Sequence, residues 1–173
     1  AENVKFADNW LAPHPGSDAA LAQAMTHVIL QEHYVNQPNA HFINYSKQYT
    51  DMPFIIMLDK DENGFKAGRF LRANDLGETV EHSEWKPVIF DKITQNLTVP
   101  NGTMGQRWEK DKKWNLKLEN EDGSKIDPAL SLAEDYFKLE KIQFPYFNNE
   151  GNGIFERPIA VKKITLANGE EQY

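Results

Sequence analysis

Pro15-Gly16-Ser17-Asp18 lies between an apolar stretch and a helix-like pattern, and its residue types suit an anionic ligand. At a helix start, unpaired backbone N–H groups and the positive end of the helix dipole favour negative charge. Gly16 permits close backbone approach, Ser17 has a hydroxyl to donate to a phosphate, and Asp18 has a carboxylate to accept the N–H pair of a guanine edge. The same four residues also make a good helix cap, and capping alone accounts for their types. Spacing does not decide between the two readings.

Other candidate chemistry fails on spacing. Asp59-x-Asp61-x-Asn63-Gly64 matches the first half of a calcium loop, but the twelfth position, which needs a bidentate Glu, is Phe70. Asn148-x-Glu150-x-Asn152-Gly153 fails in the same way at Ile159, so both read as turns. His27 and His33 are six apart and miss the spacing that lets two helical side chains share an ion, while His14, His41 and His82 stand alone. No G-x-S-x-G elbow marks a serine nucleophile. Three glycosylation sequons, at Asn44, Asn96 and Asn101, carry meaning only in a secreted chain. Neither catalytic nor metal-ligating residues are assigned.

Bulk properties narrow the partners. With 173 residues the chain is long enough for one core. A net charge of -7 and no Lys/Arg run longer than a pair argue against nucleic acid. The absence of cysteine removes disulfides, thiolate zinc sites and iron–sulfur ligation by this chain. No apolar run approaches the ~20 residues needed to span a bilayer, so direct membrane insertion is not expected. The first residues have neither a basic nor an apolar signal region and begin with Ala1, which reads as a piece cut from something longer.

The elements that must position the turn follow from periodicity. Phe6 to Ala12 is read as a short strand, Pro15-Gly16 as the turn, and Ser17-Asp18 as caps of a helix to about His33. Leu21, Ala24, Met25, Val28 and Ile29 recur at helical spacing and predict one buried stripe. A second helix is expected over Asn39 to Tyr49, with Phe42, Ile43 and Tyr45 inward. Beyond Pro53 strands are expected over Phe54–Leu58 and Phe65–Leu71, joined as a hairpin by an Asp59–Gly64 loop. Others are expected over Lys86–Phe90, Asn96–Val99, Trp114–Glu119, Lys138–Phe144 and Ile159–Leu166, with a short helix over Ala129–Tyr136. The fold class is α+β, with a helical part over 1–52 and a strand-rich part over 53–173.

The run FADNWLAPHPGSDAALAQAMTHVIL, Phe6 to Leu30, resembles a segment of bacterial molybdopterin oxidoreductases, whose pattern is A-D-x-W/H-L/I-x-x-x-P-G-T-D-x-A-L-x-x-A-M. Ser17 replaces the usual Thr and keeps the hydroxyl. YTDMP from Tyr49, AGRFLRA from Ala67, WKPV from Trp85, VPNGTMGQRW from Val99, KWNL from Lys113 and FPYF from Phe144 resemble, in order, the alpha subunit of membrane-associated respiratory nitrate reductase. The likeness is weakest from Asn120 to Glu140.

That resemblance implies an internal fragment of an enzyme about seven times longer, with several domains. It implies reduction of nitrate to nitrite at a molybdenum bis(molybdopterin guanine dinucleotide), with a four-iron four-sulfur cluster in the same subunit. The implied partners are the remainder of the alpha subunit, an iron–sulfur beta subunit and a quinol-oxidising membrane gamma subunit. The implied location is cytoplasmic, membrane-associated through those partners. Residues 1–52 would be the helical edge of the cofactor domain and 53–173 an insertion. Only Gly16, Ser17 and Asp18 carry over, as dinucleotide contacts; the family's molybdenum and cluster ligands lie upstream, and the fragment is expected to retain no cofactor and to be inactive alone. The alternatives are a free-standing α+β binding module and a fragment of another oxyanion reductase of the superfamily.

Overall fold

The computed structural model describes residues 5, 7–102, 115–131, 137–148 and 151–173. The chain divides into two units, residues 1–43 and 44–173. Helices come first and strands follow, and the fold class is α+β.

In the first unit, α1 spans Asp18–Leu30 and continues as a turn of π-helix over Gln31–Asn36. Asn39 then starts α2, Ala40–Tyr49, by accepting the N–H groups of His41 at 2.8 Å and Phe42 at 3.2 Å through Oδ1. Two expectations fail here. Residues 7–12 form no strand, and Phe6 lies outside the described residues. A strand requires a neighbour to satisfy its backbone, and among the described residues no strand pairs with that stretch. The helical stripe is also not buried: α1 contains no buried residue, and Met25, Val28 and Ile29 are 53%, 50% and 46% exposed. Trp10 and Leu11 are more exposed still.

The second unit holds the core. Strand β1 (Ile56–Asp61) turns through Glu62-Asn63 into β2 (Gly64–Phe70), so the hairpin forms but its strands run to within two residues of each other. The turn is fastened by Asp61, whose carboxylate accepts the Asn63 N–H and pairs with Lys66. A bulge interrupts the register between Ile56 and Leu58, and Gly68 lies opposite it. A side chain on Gly68 would place its Cβ 2.9 Å from the Met57 carbonyl oxygen, so glycine lets the two backbones close there.

β2 pairs in parallel with β5 (Lys138–Asn148), which pairs antiparallel with β6 (Gly151–Val161), giving the sheet order β1-β2-β5-β6. The Asn148–Gly153 region, read as a separating loop, belongs instead to the ends of this long hairpin; residues 149–150 lie outside the described set. Pro145 is tolerated because β5 meets β2 only at Ile142 and Gln143, and Pro158 because β6 is an edge. Short ribbons complete the unit: β3 (Ile89–Asp91) with β4 (Asn96–Thr98), and β7 (Ile164–Thr165) with β8 (Glu171–Gln172). The single strand expected over Ile159–Leu166 is therefore broken after Val161. Of Trp114–Glu119, Trp114 lies outside the described residues, and Leu116 and Glu119 make only isolated bridges. Residues 129–131 are not helical, and 132–136 of that expected helix lie outside the described residues.

Leu71, Val88, Ile89 and Leu116 are fully buried, in clusters with Met57, Ile126 and their neighbours. The C-terminal half of α2 is tied to this core: the Gln48 carbonyl accepts the Leu116 N–H at 2.8 Å, and Lys47 Nζ meets Asp127 at 2.5 Å. Ser46 is the buried residue of α2, whereas Tyr45, expected inward, is exposed and faces Tyr49 with ring centres 4.9 Å apart.

Candidate functional site

The turn forms as the sequence predicts, but its hydroxyl is used differently. Gly16 has φ +84°, which favours glycine, and nothing lies within 4 Å of where a Cβ would stand. Ser17 occupies the N-cap position, yet its side chain does not cap the helix. Its Oγ donates backward to the His14 carbonyl at 2.7 Å, alongside its own N–H at 2.9 Å. Asp18 is exposed at the first helical position. Among the described residues no side-chain oxygen therefore caps the first-turn N–H groups. Gly16, Ser17 and Asp18 are contiguous and accessible, and the turn presents amides without a side-chain cap, a hydroxyl and a carboxylate together.

The second unit holds two polar clusters that spacing alone did not single out. In the first, Arg69 donates to both carboxylate oxygens of Asp75 at 2.7 Å, and the Arg72 N–H donates to the same carboxylate at 2.8 Å. The Arg69 guanidinium holds the Asp75 carboxyl below the usual carboxylate range. The Arg-x-x-Arg-x-x-Asp spacing was visible, but it straddles the end of β2 and a 3-10 turn over Ala73–Leu76 that periodicity did not predict.

The second cluster centres on Asp91, 2% exposed. Burial pushes its carboxyl up, but four hydrogen bonds outweigh that and hold it below its ordinary value. The donors are the N–H groups of Asp127 (2.9 Å), Ile93 (3.1 Å) and Thr94 (3.2 Å) and the Thr94 hydroxyl (2.8 Å). Asp91-x-x-Thr94 is a local turn signal; the Asp127 contact crosses 36 residues and has none. This is a structural hub, buried among its donors.

A cavity of about 430 Å³ lies in the second unit, walled by Phe54, Met57, Leu71, Phe90, Phe144 and Ala160. Among the described residues its lining is mainly apolar, with Ser131, Lys162 and Tyr173 as its polar members. Among the described residues, no group of three or more His, Cys, Asp or Glu is placed to hold a metal ion, and no helix is long and apolar enough to cross a membrane.

Comparison with known proteins places the chain in a class: it groups with the nitrate reductase alpha chains, matching a segment of them along its whole length. It is 48% identical over 100% of its length to the nitrate reductase alpha chain of Bacillus subtilis, and 37% identical over 98% to the respiratory nitrate reductase 1 alpha chain of Escherichia coli. It spans 14% of the length of each. A fainter likeness, 31% identity over 59% of the chain, links it to the perchlorate reductase subunit alpha of Dechloromonas aromatica, of which 9% is covered. No family model matches.

Proposed function

We propose that this chain is an internal segment of the catalytic alpha subunit of a respiratory nitrate reductase, and that Gly16, Ser17 and Asp18 contact the guanine dinucleotide of its molybdenum cofactor. The observation that carries the reading is the match of the whole chain, at 48% identity, to one-seventh of such a subunit. Residues 1–52 would be the helical edge of the cofactor domain and 53–173 an insertion on it. The remaining alpha chain, an iron–sulfur beta subunit and a quinol-oxidising gamma subunit would complete a cytoplasmic enzyme held at the membrane by its partners.

The turn fits the dinucleotide. Gly16 leaves open space where a phosphate must approach, the first-turn amides lack a side-chain cap, and Asp18 offers a carboxylate to a guanine edge. Ser17 needs one adjustment: to donate to a phosphate, its hydroxyl proton must turn from the His14 carbonyl. When bound in the parent enzyme, the cofactor supplies the redox chemistry that converts nitrate to nitrite. The role of this chain is to bind and orient; alone it is expected to reduce no nitrate and to hold the nucleotide weakly, because much of the pocket lies elsewhere.

The exposed face of the first unit supports the same reading against a free-standing binding module. Met25, Val28 and Ile29 are exposed together at helical spacing on α1, and Trp10 and Leu11 are exposed as well. In the isolated chain, Met25→Gln with Val28→Gln is expected to change stability by less than about 0.5 kcal/mol in urea denaturation. Within a complete alpha subunit the same pair is expected to cost about 2–4 kcal/mol, because that face becomes buried. Equal effects in both settings would contradict the reading.

The test of function is a chimera in which this chain replaces the matching segment of the Bacillus subtilis alpha chain. Nitrate reduction is expected to survive the exchange. Asp18→Ala in the chimera is expected to weaken guanine-dinucleotide retention about tenfold or more, the effect of removing a charged acceptor from two N–H donors. A folded but inactive chimera sinks the segment assignment; full molybdenum and nucleotide content with Asp18→Ala sinks only the site. The perchlorate reductase likeness makes another oxyanion reductase the second reading, and substrate preference of the gene's full-length product decides it.

A further inference from the structure

The geometry points to Arg72 as the centre of a binding site for a planar oxyanion of the carboxylate or nitrate type, in the cleft formed by Arg69, Phe70, Arg72, Asp75, Glu84 and Ile56. The cleft measures about 500 Å³, enough for a small ligand or an inserted side chain.

Charge pairing around this cleft is unequal. Asp75 is saturated: Arg69 takes both oxygens through a fork, and the Arg72 backbone N–H takes Oδ2 as well. The Arg72 head is thereby left without a carboxylate among the described residues. One of its nitrogens, Nη1, donates to the Trp85 carbonyl at 3.0 Å, and its Cζ lies 5.6 Å from the Phe70 ring centre. Those two contacts fix the guanidinium while leaving most of its five donors unused. Burial, and then the neighbouring Arg69, make this charge less favourable than that of a free arginine, with Asp75 opposing. A bound anion offsets the repulsion from Arg69.

The shape of the donor set selects the ligand class. A fixed guanidinium edge matches two oxygens of a planar anion, whereas a halide fills one donor direction. Ile56, 44% exposed, lines the cleft with apolar surface. Glu84 lines the same cleft but stands 3.9 Å from His82 Nδ1 rather than on Arg72, so it competes for the site without filling it.

The test is an NMR titration of the 173-residue chain with sodium nitrate and with sodium acetate, ionic strength held constant with sodium chloride. Saturable shifts confined to Arg72, Phe70 and Trp85 are expected. Arg72→Lys keeps the charge and loses the fork; its affinity should fall about tenfold with the remaining spectrum unchanged, which separates binding from folding. Glu84→Gln should bind more tightly. A Leu-Asp dipeptide amide, N-acetylated, distinguishes the sources: tighter binding than acetate assigns the site to a protein carboxylate with an apolar neighbour, and equal or weaker binding assigns it to free anions. Shifts that never saturate in either the wild type or Glu84→Gln, or unchanged affinity in Arg72→Lys, would overturn the site.

Discussion

Replacing Leu71 with alanine is expected to lower the stability of the second unit by about 3–5 kcal/mol, the upper part of the range for a buried leucine. Leu71 is fully buried in the cluster with Met57 and Val88, where its N–H donates to the Ile55 carbonyl at 2.9 Å. The cost of truncation depends on how far the neighbours can collapse into the space left. Leu71 already walls the apolar cavity of about 430 Å³, so its loss enlarges an existing void instead of creating a small one that closes. Chemical denaturation of the 173-residue chain reads this directly, with Leu71→Met as the volume-conserving control, expected below about 1.5 kcal/mol. A loss under about 1 kcal/mol would mean that the cluster is not packed as described.

The second large effect is at Asp91. Asp91→Ala removes the acceptor of four hydrogen bonds and should destabilise by about 2–4 kcal/mol; Ile93 and Thr94 are exposed enough for water to replace part of the loss, whereas the Asp127 N–H bridges two segments. Asp91 also sets an acid limit. Its carboxyl is held below the ordinary value, so its ionised form is stabilised by folding. That contribution is complete above the unfolded-state value, near pH 4, and is lost as the pH falls through the folded one. Denaturation midpoints measured between about pH 6 and pH 3 should therefore fall in the wild type and fall less steeply in Asp91→Asn, which cannot titrate. Parallel pH profiles would remove Asp91 from this role. Asp75 and Asp127, also held low, add to the slope in both proteins.

How much of this was legible follows from where each signal lies. The two helices were readable because Ser17-Asp18 and Asn39 mark their starts and Asp51-Met52-Pro53 follows the second. The β1–β2 hairpin was readable from its turn residues. The strand assigned to residues 6–12 was not a local question: whether apolar residues become a strand depends on a pairing partner, and no described strand pairs with residues 7–12. For the same reason the Met25, Val28 and Ile29 stripe has the right period and the wrong burial. The β5–β6 hairpin was cut short because Asn148–Gly153 read as a turn, although strand ends tolerate those residues.

At the candidate site, Gly16, Ser17 and Asp18 were visible as a helix start, and their ambiguity between cap and contact came from shared residue types. The structure adds that Ser17 turns back to His14 and leaves the helix start uncapped. Arg72 was hidden by the strand-like pattern around it. Its isolation is visible only once Asp75 is seen to be filled by Arg69.

The most direct test is a structure of the cofactor-loaded alpha subunit containing this segment. The account predicts Asp18 within hydrogen-bonding distance, about 2.7–3.2 Å, of a guanine edge, with Gly16 against the dinucleotide's phosphates. A guanine nucleotide seated elsewhere, with this turn facing protein or solvent, would contradict it.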